Sequence, residues 1–310
     1  MAMQPVSPSP RPLIVVLAGP TAVGKTAFAI ALAQHFSAPI LSADSRQFYK
    51  ELAIGSAPPS ALELEAAEHH FVLDRSIHQP LTAASFVQKA LAKIEGLASK
   101  QPIILVVGGS GLYLKALMQG LDDIPSPTEE IRRQVAEMIA SQGLQAATSL
   151  LAELDPATAL KIDSHNPRRV ARALEVCLHT GQPYSTFLMA EDMLRPAYRW
   201  LPMLLTMPRP ALYGRIDQRV EAMMAAGLQA EAEALYPHKD LPVLQTVGYR
   251  EFFAHQDGTY TLLQAIEKVK QNTRNYAKRQ TTWFAGQSYW QPLLASDLLG
   301  AIALVEAAQK

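Results

Sequence analysis

Two stretches, Leu13–Ala18 and Pro102–Val107, are wholly apolar, and Trp200–Met207 is nearly so. Runs of that length bounded by turn residues read as strands buried on both faces of a parallel sheet. Pro39–Asp44 is a shorter strand that ends in a carboxylate. Between these runs the apolar spacing becomes helical. Ala27–His35 is amphipathic, Thr82–Ser99 presents Phe86, Ala90, Ile94 and Leu97 on one face, and Leu112–Gln119 follows the second glycine turn. Strands alternating with helices predict an α/β fold with a doubly wound parallel sheet. The pattern changes at Asp122–Pro127, where two prolines mark a boundary. Thr128 opens a helix through Met138 with Glu129 and Glu130 in its first turn, and no strand is expected before Tyr198. The expected organisation is a leader over residues 1–12, a core over 13–123 and 199–310, and a helical insertion over 124–198. Leu212–Ala234 reads as one long helix. The methionines around it (Met203, Met207, Met223, Met224) are most simply core filler.

Charge and composition add limits. The 310-residue chain is formally neutral, so a nucleic-acid partner requires local basic clusters. No window is apolar enough to span a bilayer, and no membrane partner is expected. The Pro- and Ser-rich leader has no signal-peptide core. Cys177 is the single cysteine, which fits a reducing, cytoplasmic setting, and its apolar neighbours Leu174 and Leu178 make it a packed thiol. A monomer is the expected form. Adjacent His69 and His70 cannot both be ligands from one helix face, so they read as structural or substrate-shaping.

The sharpest chemical signal is Gly19-Pro20-Thr21-Ala22-Val23-Gly24-Lys25-Thr26, set between a strand and a helix. This is the G-x-x-x-x-G-K-[ST] phosphate loop in its required context. The glycines let successive N–H groups point at anionic oxygens, and the helix dipole adds positive potential. Lys25 is placed to neutralise a terminal phosphate and the Thr26 hydroxyl to hold Mg²⁺. The loop does not say what carries the phosphate.

Other candidates gather around it. Asp44-Ser45-Arg46-Gln47 leaves the carboxyl end of the second strand, where ligands sit in α/β sheets. Asp44 is either a general base or a helix cap or Mg²⁺ partner. Gly108-Gly109-Ser110-Gly111 is a second glycine turn, an anion contact or a plain tight turn, and it lacks a Walker-B acid. Arg168, Arg169 and Arg172 can share one helix side, facing solvent or a phosphate backbone. Arg215 and Arg219 lie one turn apart, and one of them could clamp a leaving diphosphate. Gln245–Arg250 is a glycine turn carrying an aromatic and a cation. Lys268–Trp283 mixes cations and aromatics with no acid after Glu267, suited to phosphate contact and base stacking.

Taken together, the chain resembles the bacterial tRNA dimethylallyltransferases. The matching pieces run from Gly19 to about Trp283: GPTAVGKT, SADSRQ at Ser42–Gln47, GGSGLY at Gly108–Tyr113, NPRRVARALEV at Asn166–Val176, RIDQRV at Arg215–Val220, QTVGYRE at Gln245–Glu251 and YAKRQTTWF at Tyr276–Phe284. The resemblance implies a P-loop kinase-like core with a helical insertion. It implies that the loop grips the diphosphate of dimethylallyl diphosphate with Mg²⁺, and that Asp44 is the base on N6 of adenosine 37 of tRNA. It further implies tRNA contacts at Asp44, Ser45, Arg46, Gln47, Ser110, Arg132, Arg168, Arg169, Arg172, Gln245, Gly248, Tyr249, Arg250, Lys278, Arg279, Gln280 and Trp283. Ser45 or Gln47 would orient the adenine edge. Pro58 and Ala285 depart from the family's usual Lys and Arg, each removing a possible phosphate contact. Other readings of the phosphate loop are a small-molecule kinase, a prenyltransferase acting on free adenine nucleotide, and a nucleotide-binding switch.

Overall fold

The computed structural model describes residues 11–188 and 194–310, so the leader expected over 1–12 lies, but for Arg11 and Pro12, outside the described residues. The chain divides into two compact units, one ending at Gln119 and resuming at Leu194, the other Gly120–Met193.

The larger unit is built on a sheet of β1 (Leu13–Ala18), β2 (Ile40–Ser42), β3 (His69–His70), β4 (Ile103–Gly108), β5 (Arg199–Thr206) and β6 (Gln291–Leu294). The order is β3-β2-β4-β1-β5-β6 and every pairing is parallel. This is the P-loop kinase-like parallel core that the resemblance implies. Helices α1 (Lys25–Phe36), α2 (Ala61–Ala66), α3 (Ala83–Ala98) and α4 (Gly111–Gln119) fill the first crossovers. All of β1 and β4 is buried because side chains pack on both faces. Ile14, Val16 and Ala18 join Phe86, Ile94 and Leu117 on one side; Leu13, Val15 and Leu17 join Phe28, Leu32 and Val305 on the other. Each fully buried side chain of this size contributes about 1.5–3 kcal/mol. His69 and His70 form the short edge strand β3, and His70 Nε2 lies 2.9 Å from Glu68.

The smaller unit carries α5 (Glu129–Leu154), α6 (Pro156–Lys161) and α7 (Pro167–Thr180) around Val135, Leu151, Val170, Leu174 and Cys177. Helix α5 runs past the expected Met138 and bends at Gly143, whose φ is 82°. Asn166 caps α7 through Arg169 N, with Pro167 in the first turn.

The chain then adds α8 (Arg209–Ala225), α9 (Leu228–Leu235), α10 (Arg250–Gln256), α11 (Leu262–Ala285) and α12 (Leu298–Gln309) to the larger unit. The single helix expected over Leu212–Ala234 is thus two. Gly227 takes φ 100°, a left-handed conformation that ends one helix and starts the next. A reciprocal Thr261–Gln264 capping box starts α11. Among the described residues no helix is long and apolar enough to cross a membrane.

Candidate active site

The loop between β1 and α1 curls through left-handed backbone at Ala22 (φ 64°) and Gly24 (φ 107°). Within it, the Ala22 and Val23 side chains are buried. Lys25 Nζ donates to Gly19 O and Pro20 O, both at 2.9 Å, which folds the side chain back along the loop. Thr26 follows in the first turn of α1.

A cleft of about 320 Å³ opens beside this loop, lined by Thr21, Lys25, Asp44, Arg46, Arg219 and Tyr276 among others. β2 ends at Ser42, short of the expected Asp44, but Asp44 two residues beyond it still shares the cleft with the phosphate loop, as a place past a strand's carboxyl end predicts. Asp44 Oδ1 accepts from Arg46 N at 3.0 Å, an Asx turn that aims the carboxylate. Ser45 N donates to Ser110 Oγ at 2.9 Å, so the second glycine turn braces the Asp44 loop.

Cations outnumber acids here. Burial lowers the Lys25 ammonium from 10.5 to about 8; Asp44 opposes that shift and Arg219 adds to it. Burial also lowers Arg219, and neighbouring Arg215 lowers it further. A Cβ built on Gly24 would lie 3.3 Å from Arg215 Nη2, so that guanidinium rests on the loop itself. Arg219 lines the cleft while Arg215 covers the loop from outside. Like charges held this close favour an anionic ligand with several oxygens. Burial and the Asp44 charge together push the Tyr276 hydroxyl up to about 12, which keeps it protonated as a donor.

Across the cleft lie Gln245, Gly248, Tyr249, Arg250 and Arg279. The Arg279 guanidinium stacks over the Tyr276 ring, 5.7 Å from its centre. Val220, Met223, Leu228 and Val269 supply an apolar wall. Met223, read from sequence as core filler, thus faces the cleft as well as packing behind it.

Several residues expected at the substrate also hold hydrogen-bond partners within the protein. Gln47 donates to Ala57 O at 2.9 Å and accepts from the Ser42 hydroxyl, so it ties the end of β2 to the Gly55–Ala57 turn. The Tyr249 ring is buried, and its hydroxyl donates to Glu231. Gln245 donates to Lys239 O at 2.6 Å. Gln280 is buried with both ends of its amide bonded to backbone. The basic run of α11 is also compensated, contrary to its sequence: Lys270 pairs with Glu221 and Glu267, and Arg274 with Asp217. Those acids arrive from α8 and from one turn back. Lys278 and Trp283 remain exposed.

In the smaller unit, exposed Arg132 lies 3.5 Å from Glu129, Arg168 and Arg169 are exposed at the start of α7, and Arg172 donates to Pro125 O. Thr273 lines the cleft without having been singled out, and the Gly55–Ala57 turn lines it too. Thr273 sits three positions before Tyr276 on α11, a helical spacing that could have found it.

Known proteins resemble this chain over most of its length. The family model described as IPP transferase matches residues 47–287. A protein named tRNA dimethylallyltransferase from Flavobacterium psychrophilum is 46% identical over 277 residues, covering 87% of this chain and 90% of that protein. The full-length tRNA isopentenylpyrophosphate transferase of Bacillus halodurans superposes with a TM-score of 0.71 at 32% identity, over 97% of each chain. A eukaryotic dimethylallyltransferase acting on tRNA gives a TM-score of 0.76 at 27% identity, over 96% of this chain and 77% of that one. The family model's match to residues 47–287, with a relative 46% identical over 87% of the chain, shows that the chain belongs to the IPP transferase family.

Proposed function

We propose that this protein transfers the dimethylallyl group of dimethylallyl diphosphate to N6 of adenosine 37 in tRNAs, releasing diphosphate. The observation that carries the reading is the shared cleft: Lys25 and Arg219, the carboxylate of Asp44 and an apolar wall all line it. Cations suit the diphosphate, and the wall of Val220, Met223, Leu228 and Val269 suits a branched five-carbon chain. The relatives named for tRNA dimethylallylation support the acceptor.

The target adenine leaves its stack to reach the buried prenyl carbon. The N6–C1 bond forms as the C1–O bond breaks, its electron pair leaving on diphosphate. Lys25, Arg219, Arg215 and the loop amides stabilise that charge. One N6 proton passes to Asp44, whose Oδ1 is already held by Arg46 N. Arg46, Arg250 and Arg279 provide cations for the tRNA backbone. Among the described residues no cluster of three or more His, Cys, Asp or Glu could cage a metal. The Thr26 hydroxyl would hold Mg²⁺, and the ion would supply positive charge against the diphosphate. The protein works as a cytoplasmic monomer.

The test supplies labelled dimethylallyl diphosphate, ATP, AMP and unmodified tRNA together. Label in tRNA with ATP untouched is expected. Consumption of ATP, or label in AMP alone, would replace this reading with a kinase or a nucleotide prenyltransferase.

A further inference from the structure

We infer that Gln280 is a positioning residue for the prenyl donor, a strut between the phosphate loop and the turn that braces Asp44, and not a tRNA contact. The inference rests on the reading of the cleft given above.

On α11 the buried row is Ala277, Gln280 and Phe284, so an amide stands where packing alone would favour an apolar side chain. Burying it is unfavourable unless both ends are satisfied. They are: Oε1 accepts from Thr21 N and Nε2 donates to Gly109 O, each at 2.8 Å. Thr21 belongs to the loop after β1, and Gly109 to the turn after the neighbouring strand β4.

The turn is shaped to receive this helix. A Cβ on Gly109 would lie 2.5 Å from Gln280 Nε2, and one on Gly111 would lie 2.2 Å from the Trp283 ring. Between those glycines, Ser110 Oγ accepts from Ser45 N, beside the carboxylate proposed as base. The path is continuous from Thr21 through Gln280 and the 109–111 turn to Ser45 and Asp44. One buried side chain thereby sets the loop that would hold the leaving group against the loop that would deprotonate the acceptor. A displacement of about 1 Å between such groups costs on the order of 10²-fold in rate. Although Gln280 borders the cleft, one acceptor site and one donor of its amide are already committed to the two turns, which makes holding those turns its first role.

Gln280→Met keeps the length and removes both hydrogen bonds. Inorganic pyrophosphate with MgCl₂, titrated calorimetrically into the full chain, is expected to bind roughly 10-fold more weakly than to the parent protein. The kcat for tRNA prenylation should fall on the order of 10²-fold. Affinity for an unmodified tRNA transcript and its salt dependence should not change. Gln280→Glu, which sets a carboxylate oxygen against Gly109 O, should be worse than Gln280→Met. If Gln280→Met fails to fold, Gly109→Ala displaces the amide end and should give the same weakened pyrophosphate binding. Weaker tRNA binding with pyrophosphate affinity intact would overturn the inference in favour of a tRNA contact. Lowered thermal stability with both affinities intact would reduce Gln280 to packing. Absence of pyrophosphate binding by the parent protein would instead sink the reading of the cleft.

Discussion

The Tyr249 hydroxyl donates to the carboxylate of Glu231 at 2.7 Å. The same carboxylate accepts from Ile54 N and Gly55 N, at 2.7 and 2.8 Å. One acid from α9 thus anchors both the Gly55–Ala57 turn and the aromatic of the Gln245–Arg250 turn, which pack against each other beside the cleft.

This hub predicts unequal costs. Tyr249→Phe removes one donor and leaves Glu231 with two, so the expected loss is about 0.5–1.5 kcal/mol. Glu231→Ala orphans three donors, and about 2–4 kcal/mol is expected. Urea denaturation of both single variants and the double variant measures the coupling. Equal losses for the two single variants would contradict the hub.

Asp44→Asn keeps size and the Arg46 N hydrogen bond but cannot take the N6 proton. Turnover should drop on the order of 10²–10⁴-fold with pyrophosphate and tRNA affinities preserved. Near-parental kcat would remove Asp44 from the role of base.

Lys25 gives a pH dependence of known sign. Its ammonium loses its proton near pH 8 in the folded protein instead of at 10.5. Pyrophosphate affinity should therefore weaken as pH rises through about 8, by up to roughly tenfold per unit. Between about 8 and 10.5 the unfolded chain holds a proton that the folded chain has released, so this group makes the fold more stable with rising pH. Lys25→Met should flatten both effects, read by calorimetry and by thermal melts from pH 7 to 10.

The salt dependence of tRNA binding separates free cations from paired ones. Arg279 lines the cleft, whereas Arg274 is held by Asp217. Arg279→Gln should lower the slope of log affinity against log salt by about one unit, and Arg274→Gln should leave it unchanged. Equal slopes for the two variants would return the whole of α11 to the tRNA-facing surface.

What the sequence by itself determined is local. The phosphate loop is legible because its chemistry needs only eight consecutive residues between a strand and a helix. Leu13–Ala18 and Ile103–Gly108 announce their two-sided burial by being apolar throughout, and Asp44 announces its place by following a strand. The tertiary structure decided what helical spacing leaves open. Periodicity says which side chains share a face, not which element that face meets. Arg274 and Lys270 looked free until α8 brought Asp217 and Glu221 against them, and Met223 looked like filler until α8 turned it to the cleft. Gln280 enters the sequence reading only as a tRNA contact implied by resemblance, within a basic run. It becomes internal only because α11 presses that face onto two glycine turns more than 150 residues away, where backbone groups need partners.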